Sequence, residues 1–192
     1  MDEVVFREES AVEYFKGLVD AALAHQQIRA GELTSFYVVP LLTTFLRRPA
    51  ADDDEALALK LTRALEVGGP EQRNTLKQVG DISLFISGFF SDSLRRKPVD
   101  VDYYTAIGGY AYSALSRFET DALSPAFAEL SQKFGEFVDV LGEVSEHTLC
   151  ASNTDLLRLY EKWLKTGSRR SGKLLEQRGV VPNASISRHR IH

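Results

Sequence analysis

Apolar side chains recur at three- and four-residue steps along most of this 192-residue chain, and that period confines it to helices. Between Ser10 and Gln27, the residues Val12, Phe15, Val19, Ala22 and Leu23 fall on one stripe, with Ser10 and Glu13 at capping-box spacing. Ala30 and Gly31 break the pattern. A second helix is expected over Glu32 to Arg47, burying Leu33, Phe36, Tyr37, Leu41, Thr44 and Phe45 and kinked at Pro40, which brings no N–H. Ser35 to Val39 would also suit a strand, but no second strand-like run is present to pair with it.

Further helices are expected over Glu55 to Glu66, Glu71 to Arg96, Val101 to Phe118 and Ser124 to Glu146, and from Asn153 or Thr154 onward, with a last turn around Leu174 and Leu175. The last full helix would turn Leu156, Leu159, Tyr160, Trp163 and Leu164 inward. Turns fall at Gly68-Gly69-Pro70 and at Lys97 to Asp100, where Asp100 can cap the helix beginning at Val101. These helices are joined by short connections, without an internal repeat or a dividing linker. The fold class is therefore all-α: a single bundle of about seven helices forming a helical domain over 1–178, with a disordered basic tail over 179–192.

Charge is unevenly spread along the chain. Residues 165–192 carry seven Lys or Arg and one acid, a balance of +6, and the remaining 16 basic and 26 acidic residues give −10. An acidic body discourages adsorption to nucleic acid, so such contact is expected only nonspecifically, through Arg169, Arg170, Lys173 and their neighbours. The acidic opening MDEVVFREES lacks the flank of a signal peptide, and one cysteine, Cys150, permits no internal disulfide, so a cytoplasmic location is expected. The apolar runs Phe36 to Leu46 and Ile82 to Phe90 are far shorter than the ~20 residues that span a bilayer.

Two strips of small residues stand out. Gly80, Ser83, Ser87 and Ser91 on one helix, and Thr105, Gly109, Ser113 and Ser116 on the next, would let two backbones approach closely as an antiparallel hairpin. Phe85, Phe89, Tyr104, Ile107 and Tyr112 beside them could enclose a planar or apolar ligand, with His25 as an imidazole for a group such as haem.

Catalytic sets do not assemble in sequence. His147 lies three residues before Cys150 without an orienting third group. Glu143, Glu146 and His147 lack the second Glu-x-x-His of a di-iron bundle. Asp52, Asp53 and Asp54 suit a helix N-terminus and lack the spacing of a calcium loop, and Gly68-Gly69-Pro70 lacks the lysine of a phosphate loop. No metal or cofactor is expected from motifs. The leading expectation is a non-enzymatic interaction or regulatory protein, its partner another protein or a second copy, meeting Arg95, Arg96 and Lys97 or the basic Arg169, Arg170 and Lys173. The alternative is the small-molecule binding bundle.

Overall fold

The computed structural model describes residues 2–47, 56–94, 101–118, 121–148, 159–160, 162–163, 166, 168–177 and 180. Every regular element among them is a helix: α1 (Asp2–His25), α2 (Glu32–Arg47), α3 (Leu57–Glu66), α4 (Gly69–Phe89), α5 (Ser91–Leu94), α6 (Val101–Leu115), α7 (Ser124–Gln132), α8 (Phe134–Thr148) and α9 (Arg169–Gln177). Residues 159, 160, 162, 163 and 166 are helical as well. The all-α expectation holds, and Ser35 to Val39 is helix.

At the centre lies α4. Every residue from Val79 to Phe90 is buried, as happens when a helix is apolar or small on all sides and must be surrounded. It packs against α2, α3, α6 and α8, and α1 closes the bundle across α2 and α8. Phe85 stacks between Phe45 and Phe89, with ring centroids 4.8 and 5.2 Å away, and Phe90 meets Tyr160 at 5.8 Å. Burial of this aromatic surface together with the aliphatic side chains around it is the main stabilising term.

Close backbone approach is realised as the hairpin reading expected, in a different register. A Cβ on Gly80 would lie 2.7 Å from Cε1 of Tyr112, and one on Gly108 would lie 2.6 Å from Cβ of Ser83 and 2.5 Å from Cζ of Phe134. Contacts 80 to 112 and 83 to 108 run in opposite order, so α4 and α6 are antiparallel. Gly108, not Gly109, faces α4. Gly109 meets only the Ser131 carbonyl, 4.0 Å from its notional Cβ. A second approach, unseen in the sequence, brings α8 onto α4, where a Cβ on Gly88 would lie 2.5 Å from Cβ of Leu141.

Several boundaries differ from the expected ones. Helix α1 begins at Asp2, so Ser10 lies inside it rather than capping it. It ends with Gln27 at φ 56 and the Ile28 N–H on the Leu23 carbonyl at 2.9 Å, a Schellman closure. The long helix expected to Arg96 stops at Phe89, because both Phe89 and Phe90 turn into the core; Ser145 Oγ of α8 donates to the freed Phe89 carbonyl at 2.7 Å. The helix expected over Ser124 to Glu146 breaks at Lys133, whose φ of −111° and ψ of 27° let Phe134 reach Gly108. The helix expected to Phe118 ends at Leu115, and α3 starts at Leu57 rather than Glu55.

Helix α2 keeps its expected limits and runs unbroken through Pro40. Its N-terminus is capped from another helix: Glu129 of α7 accepts the Gly31 N–H at 2.9 Å and the Thr34 hydroxyl at 2.5 Å. Leu159, Tyr160 and Trp163 do pack on the core, and so does Val180, which is fully buried beyond the expected domain limit at 178. Asp52 to Asp54, Asp100, Asn153, Thr154, Leu156, Leu164 and the 181–192 part of the tail lie outside the described residues.

Candidate functional site

Asp81 is the one carboxylate in the buried stretch of α4, and its environment is built by three helices. Tyr37 from α2 and Tyr112 from α6 both donate to Oδ1, at 2.5 and 2.9 Å, while Lys77, one turn earlier on α4, donates to Oδ2 at 2.7 Å. Such pairing is what makes a buried carboxylate tolerable. The two phenols pack on Phe127, Tyr37 edge-on at 5.2 Å and Tyr112 stacked at 5.8 Å. Burial first, and then the Asp81 charge, pushes both phenols well above their ordinary range, so they remain protonated donors. Lys77 Nζ also lies 5.2 Å above the Tyr37 ring centroid. Alongside, Arg73 pairs with Asp121 and lies over the Phe118 ring at 5.7 Å. Burial opposes ionisation of Asp121, but the Leu123 N–H and Arg73 outweigh it and hold the carboxyl below its ordinary range.

This polar node opens outward. A groove of about 230 Å³ lies between Lys77 and Asp81 of α4 and the face of α2 that carries Phe36, Tyr37, Pro40, Leu41, Thr44 and Phe45, with Leu123 also on its lining. Across the exposed edge of α2 lies a larger groove of about 670 Å³ between α1 and α2. Val12, Lys16 and Asp20 form one wall, and Leu33, Phe36, Val39 and Pro40 the other. Phe36, expected in the core, is 72% exposed between the two grooves. Leu33, also expected inside, is 37% exposed.

A third groove, of about 320 Å³ and polar, gathers His25, Gln26, Ser91, Asp139, Gly142, Glu143, Glu146 and His147. Folding brings the two histidines to the same groove. His25 Nδ1 lies 3.1 Å from Glu143 Oε1, and Gln26 donates to Glu143 Oε2 at 2.7 Å. The Gln26 bond first, and then that to His25, hold the Glu143 carboxyl below its ordinary range. Among the described residues, no group of three or more His, Cys, Asp or Glu is placed to hold a metal ion.

The residues expected to enclose a ligand are dispersed differently. Phe85, Phe89 and Tyr112 are fully buried and packed on neighbouring rings, and Tyr104 and Ile107 are half-buried against the core. None of the five lines any of the three grooves, and His25, on the third groove, faces Glu143 rather than these five residues. Of the expected partner-binding residues, Arg169, Arg170 and Lys173 are exposed on α9, and Arg95, Arg96 and Lys97 lie outside the described residues, as does Cys150. The Asp81 node was missed, although an isolated acid within an apolar and small-residue run was legible at Asp81.

Comparison with known proteins adds no relative: no family model, curated protein or solved structure matches the chain. Among the described residues, no helix is long and apolar enough to cross a membrane.

Proposed function

We propose that the chain is a non-enzymatic protein-interaction module, and that its partner presents an amphipathic helix to the groove between α1 and α2. The observation that carries this is Phe36, a large apolar side chain 72% exposed on the groove wall with Val12 at 40% and Leu33 at 37%. Isolated exposed apolar residues are ordinary, but a contiguous set along a groove marks an interaction surface. Positions 12, 16 and 20 on α1 and 33, 36 and 40 on α2 recur at helical spacing along the two walls of the groove, a surface on which a partner helix can seat. Asp20 and Glu32 outnumber Lys16 on its walls, and the chain outside residues 165–192 carries −10, so a partner helix with basic flanks is favoured. A second copy of the chain is the alternative partner, and a cytoplasmic location is part of the same proposal.

Two labelled helical peptides sharing one leucine stripe, one flanked by Lys and Arg and the other by Glu, test this by fluorescence anisotropy. The basic peptide should bind, and F36D should weaken it about tenfold or more, as loss of a central apolar anchor does. A photo-crosslinking residue at Phe36 should capture peptide where one at Tyr110, itself 51% exposed on α6, does not. Equal capture at the two positions, or binding indifferent to F36D, would sink the proposal.

A further inference from the structure

The smaller groove shares Phe36 and Pro40 with the docking groove and points to a second activity. We infer that the cleft between α2 and the Lys77–Asp81 pair is a binding site for a small, uncharged, mainly apolar molecule bearing one hydrogen-bond-accepting oxygen, such as a ketone or amide.

Size comes first. At about 230 Å³ the cleft is below the ~300 Å³ from which drug-sized ligands are held, so its occupant is a single ring or a short chain. Polarity comes next. Phe36, Pro40, Leu41, Phe45 and Leu123 supply an apolar wall, against which an apolar body displaces water.

The polar side then decides the head group. Asp81 Oδ1 already accepts from both Tyr37 and Tyr112, so it has little left for a ligand donor. Oδ2 accepts from Lys77 and keeps one lone-pair position beside that ammonium, which has three hydrogens and donates to no other described residue. The remaining donors of Lys77, which lines the cleft and is half-exposed, therefore offer most of the free hydrogen-bonding capacity, with the exposed Thr44 hydroxyl the other polar group on the lining. They call for an acceptor. An anion would gain from Lys77 but lie beside the Asp81 carboxylate, a like charge in partly buried surroundings; a neutral carbonyl takes the hydrogen bond without that repulsion. A ligand amine would meet Lys77 head-on and would have to displace it from Asp81.

Amide-detected NMR titration of the full chain with acetophenone, ethylbenzene, benzoate and benzylamine tests each element. Acetophenone should produce saturable shifts centred on residues 36–45 and 77–81 and on Leu123. Ethylbenzene, lacking the acceptor, should bind more weakly, and both charged analogues more weakly still. K77M keeps the apolar stem and removes the donor, so it should weaken acetophenone about tenfold, the loss of one hydrogen bond from a charged group, and leave ethylbenzene unchanged. Shifts centred elsewhere, no saturable shift, benzoate or benzylamine binding tighter than acetophenone, or equal weakening of both neutral probes by K77M would each overturn the assignment. The four-probe ranking on the unaltered chain stands even where the variant does not fold.

Discussion

The Tyr112 ring lies directly against Gly80, so that a methyl group at position 80 would sit 2.7 and 2.8 Å from two of its ring carbons. The ring cannot give way freely, because its hydroxyl is tied to Asp81 one residue along the same helix as Gly80. Gly80 to Ala is therefore expected to destabilise by about 1–3 kcal/mol, overpacking outweighing the ~1 kcal/mol that alanine gains in a helix interior. Gly17, inside α1 with nothing within 4 Å of its notional Cβ, should show the opposite sign, stabilising by about 0.5–1 kcal/mol when changed to Ala. Urea unfolding midpoints of the two variants make the comparison.

Asp81 to Ala removes the acceptor of two buried phenols and the partner of Lys77. A loss of about 2–5 kcal/mol is expected, with Asp81 to Asn milder because one carbonyl oxygen remains. Tyr37 to Phe and Tyr112 to Phe should couple by about 0.5 kcal/mol or more in a double-mutant cycle, since both hydroxyls share one oxygen.

Alkaline stability rests on the same two phenols. Both are raised in the folded chain by burial and then by Asp81, relative to an ordinary value of 10.0. Their contribution is intact below that ordinary value and is lost as pH climbs from it toward the folded values, because the unfolded chain binds fewer protons there. Stability should fall above about pH 10 by about 1.4 kcal/mol per pH unit for each phenol, and the slope should halve in Tyr112 to Phe. Chemical denaturation across that range, read with tyrosinate absorbance, checks both sign and slope.

Glu129 governs part of the acid limb. Burial pushes its carboxyl up, but hydrogen bonds from Lys133, Thr34 and the Gly31 N–H prevail and hold it below its ordinary 4.5. That contribution is present above 4.5 and is lost as pH falls through the lowered folded value. Glu129 to Gln should cost about 1–2 kcal/mol at neutral pH and flatten the decline below about pH 4.5, as urea unfolding at a series of acid pH values would show.

Gln27 holds φ at 56°, the left-handed conformation in which side chains are costly and glycine is not. Gln27 to Gly is expected to be neutral or to stabilise by up to about 1 kcal/mol, as measured by thermal and urea unfolding.

The contrast between α2 and the two broken helices explains what could be read from residues alone. Glu32 to Arg47 was legible because its periodicity is bounded by Gly31 on one side and Arg48-Pro49 on the other. The glycines nearest the breaks at Phe90 and Lys133, Gly88 and Gly135, lie inside helices without positive φ, and the breaks arise because Phe90 and Phe134 gain more by entering the core than by continuing a helix. Small-residue strips announced close packing but not its register, which was decided by which glycine the Tyr112 and Phe134 rings could cover. Phe36 carried an inward period and faces solvent, since periodicity marks a stripe without saying whether this chain or another covers it. Tyr37 and Tyr112 reach Asp81 from 44 and 31 positions away, pairings that local spacing does not encode.

Val180 sits in the interior with no surface showing, and its amide closes onto the Leu175 carbonyl at 2.9 Å. Val180 is thus a plug in that core. Shortening the chain at residue 178 would pull a stopper from the same core that holds Tyr160 and let water into it, so any fusion or tag joined to this protein belongs beyond Val180.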